Sequence, residues 1–87
     1  MRTQISGNQI TNGVNALMGK LNYRLNQKGS GTFSSKHEIL GVIAEEYKEL
    51  LDAVHSKDYN NMKEELLDIA VGSLFGYICL EEKTVEW

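Results

Sequence analysis

The first third of the chain carries apolar residues at spacings of three and four, separated mostly by asparagine, glutamine, lysine and arginine. These apolar positions are Ile10, Val14, Leu17, Met18, Leu21 and Leu25. The spacing places them on one face of an α-helix and therefore predicts an amphipathic helix. Ser6 and Gln9 match the capping box that opens many helices. Gly13 and Gly19 each cost about 1 kcal/mol relative to alanine inside a helix, so we expect this helix to depend on packing.

Two further helices are predicted after a flexible break at GSGT, residues 29–32. Ser35 and Glu38 match a second capping box, and an apolar stripe then continues to about His55. Asp58 or a neighbour is expected to cap the third helix. The second half of that helix is apolar on nearly every side, which predicts that it lies at the centre of a bundle or of an oligomer.

The predicted fold is all-α: a short antiparallel bundle of about three helices, in a single domain over residues 1–87. A chain of 87 residues buries only about 60% of the surface that its unfolded form exposes, so we expect oligomerisation to complete the bundle. Its 41% apolar and 24% charged residues are typical of a folded protein rather than a disordered one. The net charge of -3 argues against binding to nucleic acid or to an anionic membrane.

The sequence also favours a reducing compartment. The only cysteine is Cys79, which lies in an apolar run where a thiol usually acts as a small buried hydrophobe. The first thirteen residues lack the continuous apolar core of a signal peptide. The apolar run over residues 66–80 is too short to span a bilayer and is interrupted by polar residues and glycines. We therefore predict a cytoplasmic protein that does not enter a membrane.

Carboxylates recur at helical spacing in the second and third predicted helices. Glu46 and Glu49 lie one turn apart on the second helix, with Glu45 within reach of Glu49, and Glu65 and Asp68 lie one turn apart on the third. Antiparallel packing can bring the two pairs face to face, so that four carboxylates surround one small volume. Like charges at such distances must be protonated, paired with a cation or bound to a metal. Ligand sets made only of oxygen suit Mg²⁺ first and Mn²⁺ second.

A simpler interpretation leaves the glutamates on solvated helix faces, where Lys48 or Lys63 pairs with them along the surface. Asp68 argues against this interpretation, because it is flanked by apolar residues and lies too deep in the helix to act as a cap. The joint occurrence of the two acidic pairs on neighbouring helices therefore favours a metal site.

Other features receive structural interpretations. His37 and His55 are expected to be structural or exposed, since a di-iron centre would need an ExxH motif on each of two helices. Gly72 and Gly76 predict a surface that another helix approaches closely, in this chain or in a dimer. Trp87 is expected to be core, an interface contact or a frayed end.

The acidic pairs resemble the signature of a known family. The strings Glu45-Glu46-Tyr-Lys-Glu49 and Glu65-Leu-Leu-Asp68 are similar to the EExxE and ExxD motifs of the all-α nucleoside triphosphate pyrophosphohydrolases of the MazG type. The resemblance covers roughly residues 37–80 and includes the runs AEEYKELLDAV, SKDYNN and KEELLDIAVGSLF.

This resemblance implies a reaction and roles for the acids. Members of the family are helical, form dimers or tetramers, and use Mg²⁺ to cleave a nucleoside triphosphate between its α and β phosphates, releasing monophosphate and pyrophosphate. The resemblance assigns Glu46, Glu49, Glu65 and Asp68 as ligands of Mg²⁺ or Mn²⁺. It assigns Glu46 to catalysis as well, and Glu45 to orienting the attacking water or supporting the ligands. The expected partners are the nucleotide and further copies of this chain in a homodimer or homotetramer.

The chain departs from the family pattern in its basic residues and around Asp68. Many relatives have glycine where this chain has Leu67, and others carry a basic helix after the second motif, whereas Lys83 is the only basic residue after Asp68. Phosphate contacts are therefore expected from a second subunit or from other cations of the chain, namely Arg24, Lys28, Lys36, Lys48 and Lys63.

Two alternative functions remain open from the sequence. The first is phosphoribosyl-ATP pyrophosphohydrolase, which shares the EExxE motif, although this chain lacks the Ala-Asp-Leu-Leu-Tyr-His-like string of that enzyme. The second is a helical interaction module without catalytic activity, in which the acids form a solvated face or a docking patch.

Overall fold

Three α-helices make up the protein in a computed structural model that describes residues 1–85. Helix α1 spans Gly7–Lys28, α2 spans Lys36–His55 and α3 spans Tyr59–Glu81. The prediction of an all-α fold is confirmed. Within the described residues, no helix is both long enough and apolar enough to cross a membrane.

Side-chain caps open the first two helices near the predicted positions. At α1, the Ser6 hydroxyl accepts a hydrogen bond from the Gln9 N–H, and the Gln9 side chain accepts one from the Ser6 N–H, which completes the predicted capping box. At α2, Ser35 accepts from the Glu38 N–H. The Glu38 carboxylate accepts from the N–H of Ser34 rather than from that of Ser35. The second capping box therefore differs from the predicted one, because the Glu38 side chain bonds to the residue before the cap and not to the cap itself.

The remaining helix ends also follow from local chemistry. Gly29 caps the end of α1: its N–H donates to the Leu25 carbonyl, and its φ of 78° lies in the region that glycine adopts without a steric penalty. Asp58 caps the start of α3, since its side chain accepts a hydrogen bond from the Asn61 N–H. The predicted position of this cap is confirmed.

Helix α3 lies at the centre of the bundle, since it packs against both α1 and α2 while those two helices do not pack on each other. The buried apolar residues are Leu21, Phe33, Ala53, Val71 and Cys79. This arrangement confirms the prediction that the most apolar helix is central, and Cys79 is buried as predicted.

Helices α2 and α3 run antiparallel and approach closely at two glycines of α3. A Cβ atom added to Gly72 would lie 3.1 Å from Cδ1 of Ile43, and one added to Gly76 would lie 3.1 Å from Cγ2 of Ile39. Residue numbers therefore fall along α2 as they rise along α3. The close approach predicted for these glycines is made by α2 of the same chain, so this face is not left for a second subunit.

Helix α1 runs in the same direction as α3. Lys20 contacts Asp68, and the guanidinium of Arg24 lies next to Gly72, so residue numbers rise together along the two helices. This orientation places the basic residues of α1 beside the acidic residues of α3.

Several apolar side chains of α1 and α2 remain exposed. On α1 the predicted apolar face is uncovered at Ile10, Val14 and Met18, which are 58%, 51% and 43% exposed. On α2 the exposed apolar residues lie seven, four and three positions apart and form one stripe: Leu40, Tyr47, Leu51 and Val54. Oligomerisation, which would cover such surfaces, stays a prediction.

His37 and His55 are both exposed, which is one of the two environments predicted for them. Trp87 lies outside the described residues, as does Glu86.

Candidate metal centre

Three of the four predicted metal ligands lie together at the contact between α2 and α3. One carboxylate oxygen from each of Glu46, Glu49 and Glu65 lies within 4.8 Å of the others. Glu46 and Glu49 are one turn apart on α2 and so share a face. The antiparallel α3 brings Glu65 to that face from the opposite side of the contact.

The three carboxylates differ in burial. Glu65 is buried at 8% exposure, Glu46 is half-buried and Glu49 is exposed. Oε2 of Glu46 and Oε2 of Glu65 are buried, and within residues 1–85 neither atom has a hydrogen-bond partner. Buried polar atoms without a partner cost free energy, so this cluster requires a proton or a cation. The exposed Glu49 leaves the cluster open to solvent on one side.

Burial and mutual repulsion change the acidity of the cluster. Burial raises the pKa of Glu65 to about 7, and the neighbouring Glu46 and Glu49 contribute to the rise. Burial also raises the pKa of Glu46, with contributions from the negative charges of Asp68 and Glu49. The neighbouring Glu65 acts in the opposite direction, because a protonated Glu65 can donate to Glu46 and so lowers the pKa of Glu46. The metal-free cluster therefore retains a proton on Glu65 up to near-neutral pH.

The donor set of the cluster fits a hard divalent cation. All three side chains supply carboxylate oxygens, which are the ligands that Mg²⁺ prefers. Two oxygens on opposite sides of Mg²⁺ lie about 4.2 Å apart, because each bond is about 2.1 Å long. The maximum separation of 4.8 Å in the cluster is close to this value. A cation would also satisfy the two buried oxygens that have no partner among residues 1–85.

Asp68 lies beside this cluster but pairs with a lysine of α1. Oδ1 of Asp68 is 3.3 Å from Nζ of Lys20, which also lies 2.7 Å from Oε2 of Glu64. The hydrogen bond to Glu64 raises the pKa of Lys20, and Asp68 contributes to the rise. These side chains are partly exposed and solvent screens their charges, so the two ion pairs contribute little to stability. Lys20 was not among the residues that the sequence pattern predicted to pair with the acids.

Glu45 lies outside the cluster of three carboxylates. It is exposed on α2 and points about 100° away from Glu46 around the helix axis, because consecutive helical residues differ by that angle. Its assignment to orienting the attacking water stays a prediction.

A cavity of about 330 Å³ lies next to the cluster, between α1 and the acidic face of α2 and α3. Its lining combines acids and bases: Glu46, Asp68, Lys20, Arg24 and Lys28, together with Tyr23, Gln27 and Val71. Of the cations that the sequence analysis proposed for phosphate contacts, Arg24 and Lys28 line this cavity, and Lys36, Lys48 and Lys63 do not. Lys20, Arg24 and Lys28 recur every four residues, and this spacing would have identified all three in the sequence as one basic face of the helix.

A protein-family model matches the part of the chain that carries these acids. The model of the MazG nucleotide pyrophosphohydrolase domain matches residues 34–84, which is more than half of the sequence. The chain belongs to this family. No curated protein and no solved structure gives a match. The MazG family supports an activity of the nucleotide pyrophosphohydrolase type.

The MazG match covers the acidic motifs but not the first helix. Residues 34–84 include α2, α3 and all the predicted ligands, whereas α1 ends at Lys28. MazG enzymes generally use a divalent metal, in agreement with the donor set of the carboxylate cluster. The cations of the cavity, by contrast, come from outside the MazG segment.

A second cavity of about 300 Å³ adjoins the first on the side of the link between α1 and α2. Phe33 and Phe75 line it and contact each other edge to face, with ring centroids 5.3 Å apart. Arg24 and Lys28 line both cavities. The protein thus has, in succession, the carboxylate cluster, the three cations of α1 and the cavity that Phe33 and Phe75 line.

Proposed function

We propose that this MazG domain is a Mg²⁺-dependent nucleoside triphosphate pyrophosphohydrolase, which cleaves the bond between the α and β phosphates. The products would be a nucleoside monophosphate and pyrophosphate. The observation that best supports this proposal is the cluster of Glu46, Glu49 and Glu65, with two buried oxygens that lack a partner within residues 1–85. Such a cluster is costly in the absence of a cation. A nucleotide substrate and a lone buried thiol both fit the cytoplasm, which we propose as the location.

The proposed roles of the acids follow from their positions. Glu46, Glu49 and Glu65 would hold Mg²⁺, or alternatively Mn²⁺, and Asp68 is proposed as a fourth ligand whose charge Lys20 balances. A divalent cation in this site would neutralise phosphate oxygens and lower the pKa of a bound water. Glu46 belongs to the cluster and also lines the cavity, so it connects the metal ligands to the substrate. Glu45 is proposed to orient the attacking water at the exposed edge of α2.

Product analysis is the test of this proposal. The purified protein would be incubated with canonical and modified nucleoside triphosphates and with phosphoribosyl-ATP, with Mg²⁺ and with EDTA. The phosphorus products would be separated by ³¹P NMR. We expect monophosphate and pyrophosphate only when Mg²⁺ is present, because the cation must neutralise the phosphate oxygens.

Other outcomes of the product analysis would contradict the proposal. Release of orthophosphate and a nucleoside diphosphate would show cleavage at the wrong bond. Strong preference for phosphoribosyl-ATP would support the alternative pyrophosphohydrolase. No turnover, together with no effect of Mg²⁺ on the melting temperature, would support the interaction module without catalytic activity.

We further infer that the exposed apolar stripes of α1 and α2 are covered in a homodimer or homotetramer. Sedimentation equilibrium should give two or four times the chain mass of 9.8 kDa. Leu51→Glu should lower this mass, because Leu51 lies within the exposed stripe of α2 and an interface would bury the new charge without a partner. Lys57→Glu in the turn between α2 and α3 is the control and should not change it. A monomeric wild-type protein at micromolar concentration would disprove the inference.

A further inference from the structure

The first helix presents a row of cations to the cavity beside the carboxylate cluster. Lys20, Arg24 and Lys28 recur every four residues along α1 and so lie on one face of the helix. All three line the cavity of about 330 Å³ that Glu46 and Asp68 also line. The guanidinium of Arg24 reaches the surface of α3 at Gly72, where a Cβ atom would lie 3.9 Å from Nη1. The row is therefore held against α3 next to the proposed metal site.

Within the part of the chain that the structure describes, two of these three cations form no ion pair. Lys20 pairs with Glu64 and Asp68. Within residues 1–85, neither Arg24 nor Lys28 has a carboxylate within 4.0 Å. Unpaired cations that face a concave surface attract an anionic ligand, and phosphate groups match both the fork of arginine and the point charge of lysine. The cavity therefore offers positive charge that the fold itself does not use.

We propose that Arg24 and Lys28, together with Lys20, bind the polyphosphate chain of the substrate. This inference rests on the proposed function, because it names the group that the same site binds. It assigns phosphate binding to α1, a helix outside the segment that matches the MazG family. Between Asp68 and Trp87 the sequence carries one basic residue, Lys83, whereas three cations of α1 line the cavity beside the acids.

The position of the row also orients the ligand. At one end Lys20 lies beside Asp68, next to the carboxylate cluster. At the other end Lys28 also lines the cavity that contains Phe33 and Phe75. A suitable ligand would have an anionic chain and a flat, largely apolar end. Its chain would contact the carboxylates through a metal ion and the cations directly, and its flat end would contact the aromatic rings. Nucleoside polyphosphates have this composition, whereas inorganic polyphosphate would occupy only the cationic part.

Binding measurements with two probes test the inference without requiring turnover. Calorimetry in the presence of Mg²⁺ would compare sodium tripolyphosphate with an α,β-methylene nucleoside triphosphate, which resists cleavage at the proposed bond. Arg24→Gln and Lys28→Gln should each weaken the binding of both probes by about tenfold or more, since each removes a charge-assisted contact. Arg24→Lys should lose less than Arg24→Gln, because it keeps the charge. Lys57→Gln in the turn between α2 and α3 removes an equal charge outside the cavity and should change binding by less than about twofold.

The inference and the proposed function can fail separately. If neither Arg24→Gln nor Lys28→Gln weakens tripolyphosphate binding beyond the Lys57→Gln control, the row does not bind phosphate, whatever the products of hydrolysis are. If only the nucleoside probe is weakened, the cations act on the nucleoside and the assignment to polyphosphate is wrong. If both probes are weakened but no nucleotide is cleaved, the phosphate site stands and the proposed function fails. Should Arg24→Gln not fold, the exposed Lys28 decides the question alone.

Discussion

Glu65→Gln is expected to abolish the Mg²⁺-dependent hydrolysis of nucleoside triphosphates, with a fall in kcat of about a thousandfold or more. Glu65 is the most buried member of the carboxylate cluster, and its Oε2 has no partner within residues 1–85. Glutamine has nearly the same shape but supplies no negative charge to a cation. A bound metal ion contributes several kcal/mol to catalysis, and each factor of ten in rate corresponds to about 1.4 kcal/mol.

The same substitution should stabilise the metal-free protein at slightly alkaline pH. Glutamine removes one of the like charges that burial holds close to Glu46 and Glu49, and its amide can donate a hydrogen bond to either of them. We therefore expect a higher melting temperature in EDTA and no further rise when Mg²⁺ is added. Loss of activity caused by unfolding would instead lower the melting temperature.

Glu64→Gln is the matched control for this prediction. Glu64 is the preceding residue of α3, its side chain is 58% exposed, and its ion-pair partner is Lys20. The control should therefore keep both hydrolysis and the rise in melting temperature with Mg²⁺. Equal losses in the two variants would contradict the assignment of Glu65 to the metal, as would full activity of Glu65→Gln.

The second large effect concerns the pH dependence of stability. Without metal, the free energy of unfolding should fall as the pH rises from about 4.5 to about 7. The pKa of Glu65 is raised from the ordinary value of 4.5 to about 7 in the folded state. The folded state therefore holds this proton more tightly than the unfolded chain does. The bound proton therefore stabilises the fold fully below the pKa that Glu65 has in the unfolded chain. This stabilisation, on the order of 3 kcal/mol, is lost as the pH rises through the pKa of Glu65 in the folded state.

Urea denaturation in EDTA at about pH 5 and about pH 8 measures this dependence. Saturating Mg²⁺ should restore stability at the higher pH and have little effect at the lower one, since the cation and the proton compete for the same carboxylates. Glu65→Gln should reduce the pH dependence, while Glu64→Gln should retain it. If the metal-free wild-type protein is more stable at about pH 8 than at about pH 5, the folded cluster does not hold a buried proton.

Local patterns were sufficient for the helices. The capping residues Ser6 and Asp58 predicted where α1 and α3 begin, because a capping hydrogen bond involves residues only three apart. The glycine at position 29 ends α1 for an equally local reason. The apolar second half of α3 predicted its central place, since such a helix must be covered on several sides.

The acidic cluster was predictable only in part. ExxE spacing on one helix and a short turn to the next indicated that Glu46, Glu49 and Glu65 would meet. The same reasoning predicted that Asp68 would join them, but in the structure Asp68 pairs with Lys20. Lys20 also contacts Glu64, which lies 44 residues later in the sequence. Periodicity carries no information on contacts over such a separation.

The amino-acid pattern thus specifies which segments become helices and which side chains share a face, because these properties depend on hydrogen bonds and spacings within a few residues. The tertiary structure decides that α1 packs on α3 in the same direction, that Gly72 and Gly76 receive α2, and that the cations of α1 face the acids. These features depend on which apolar faces of the three helices bury each other most favourably. That depends on all three helices together and cannot be read from one segment of the sequence.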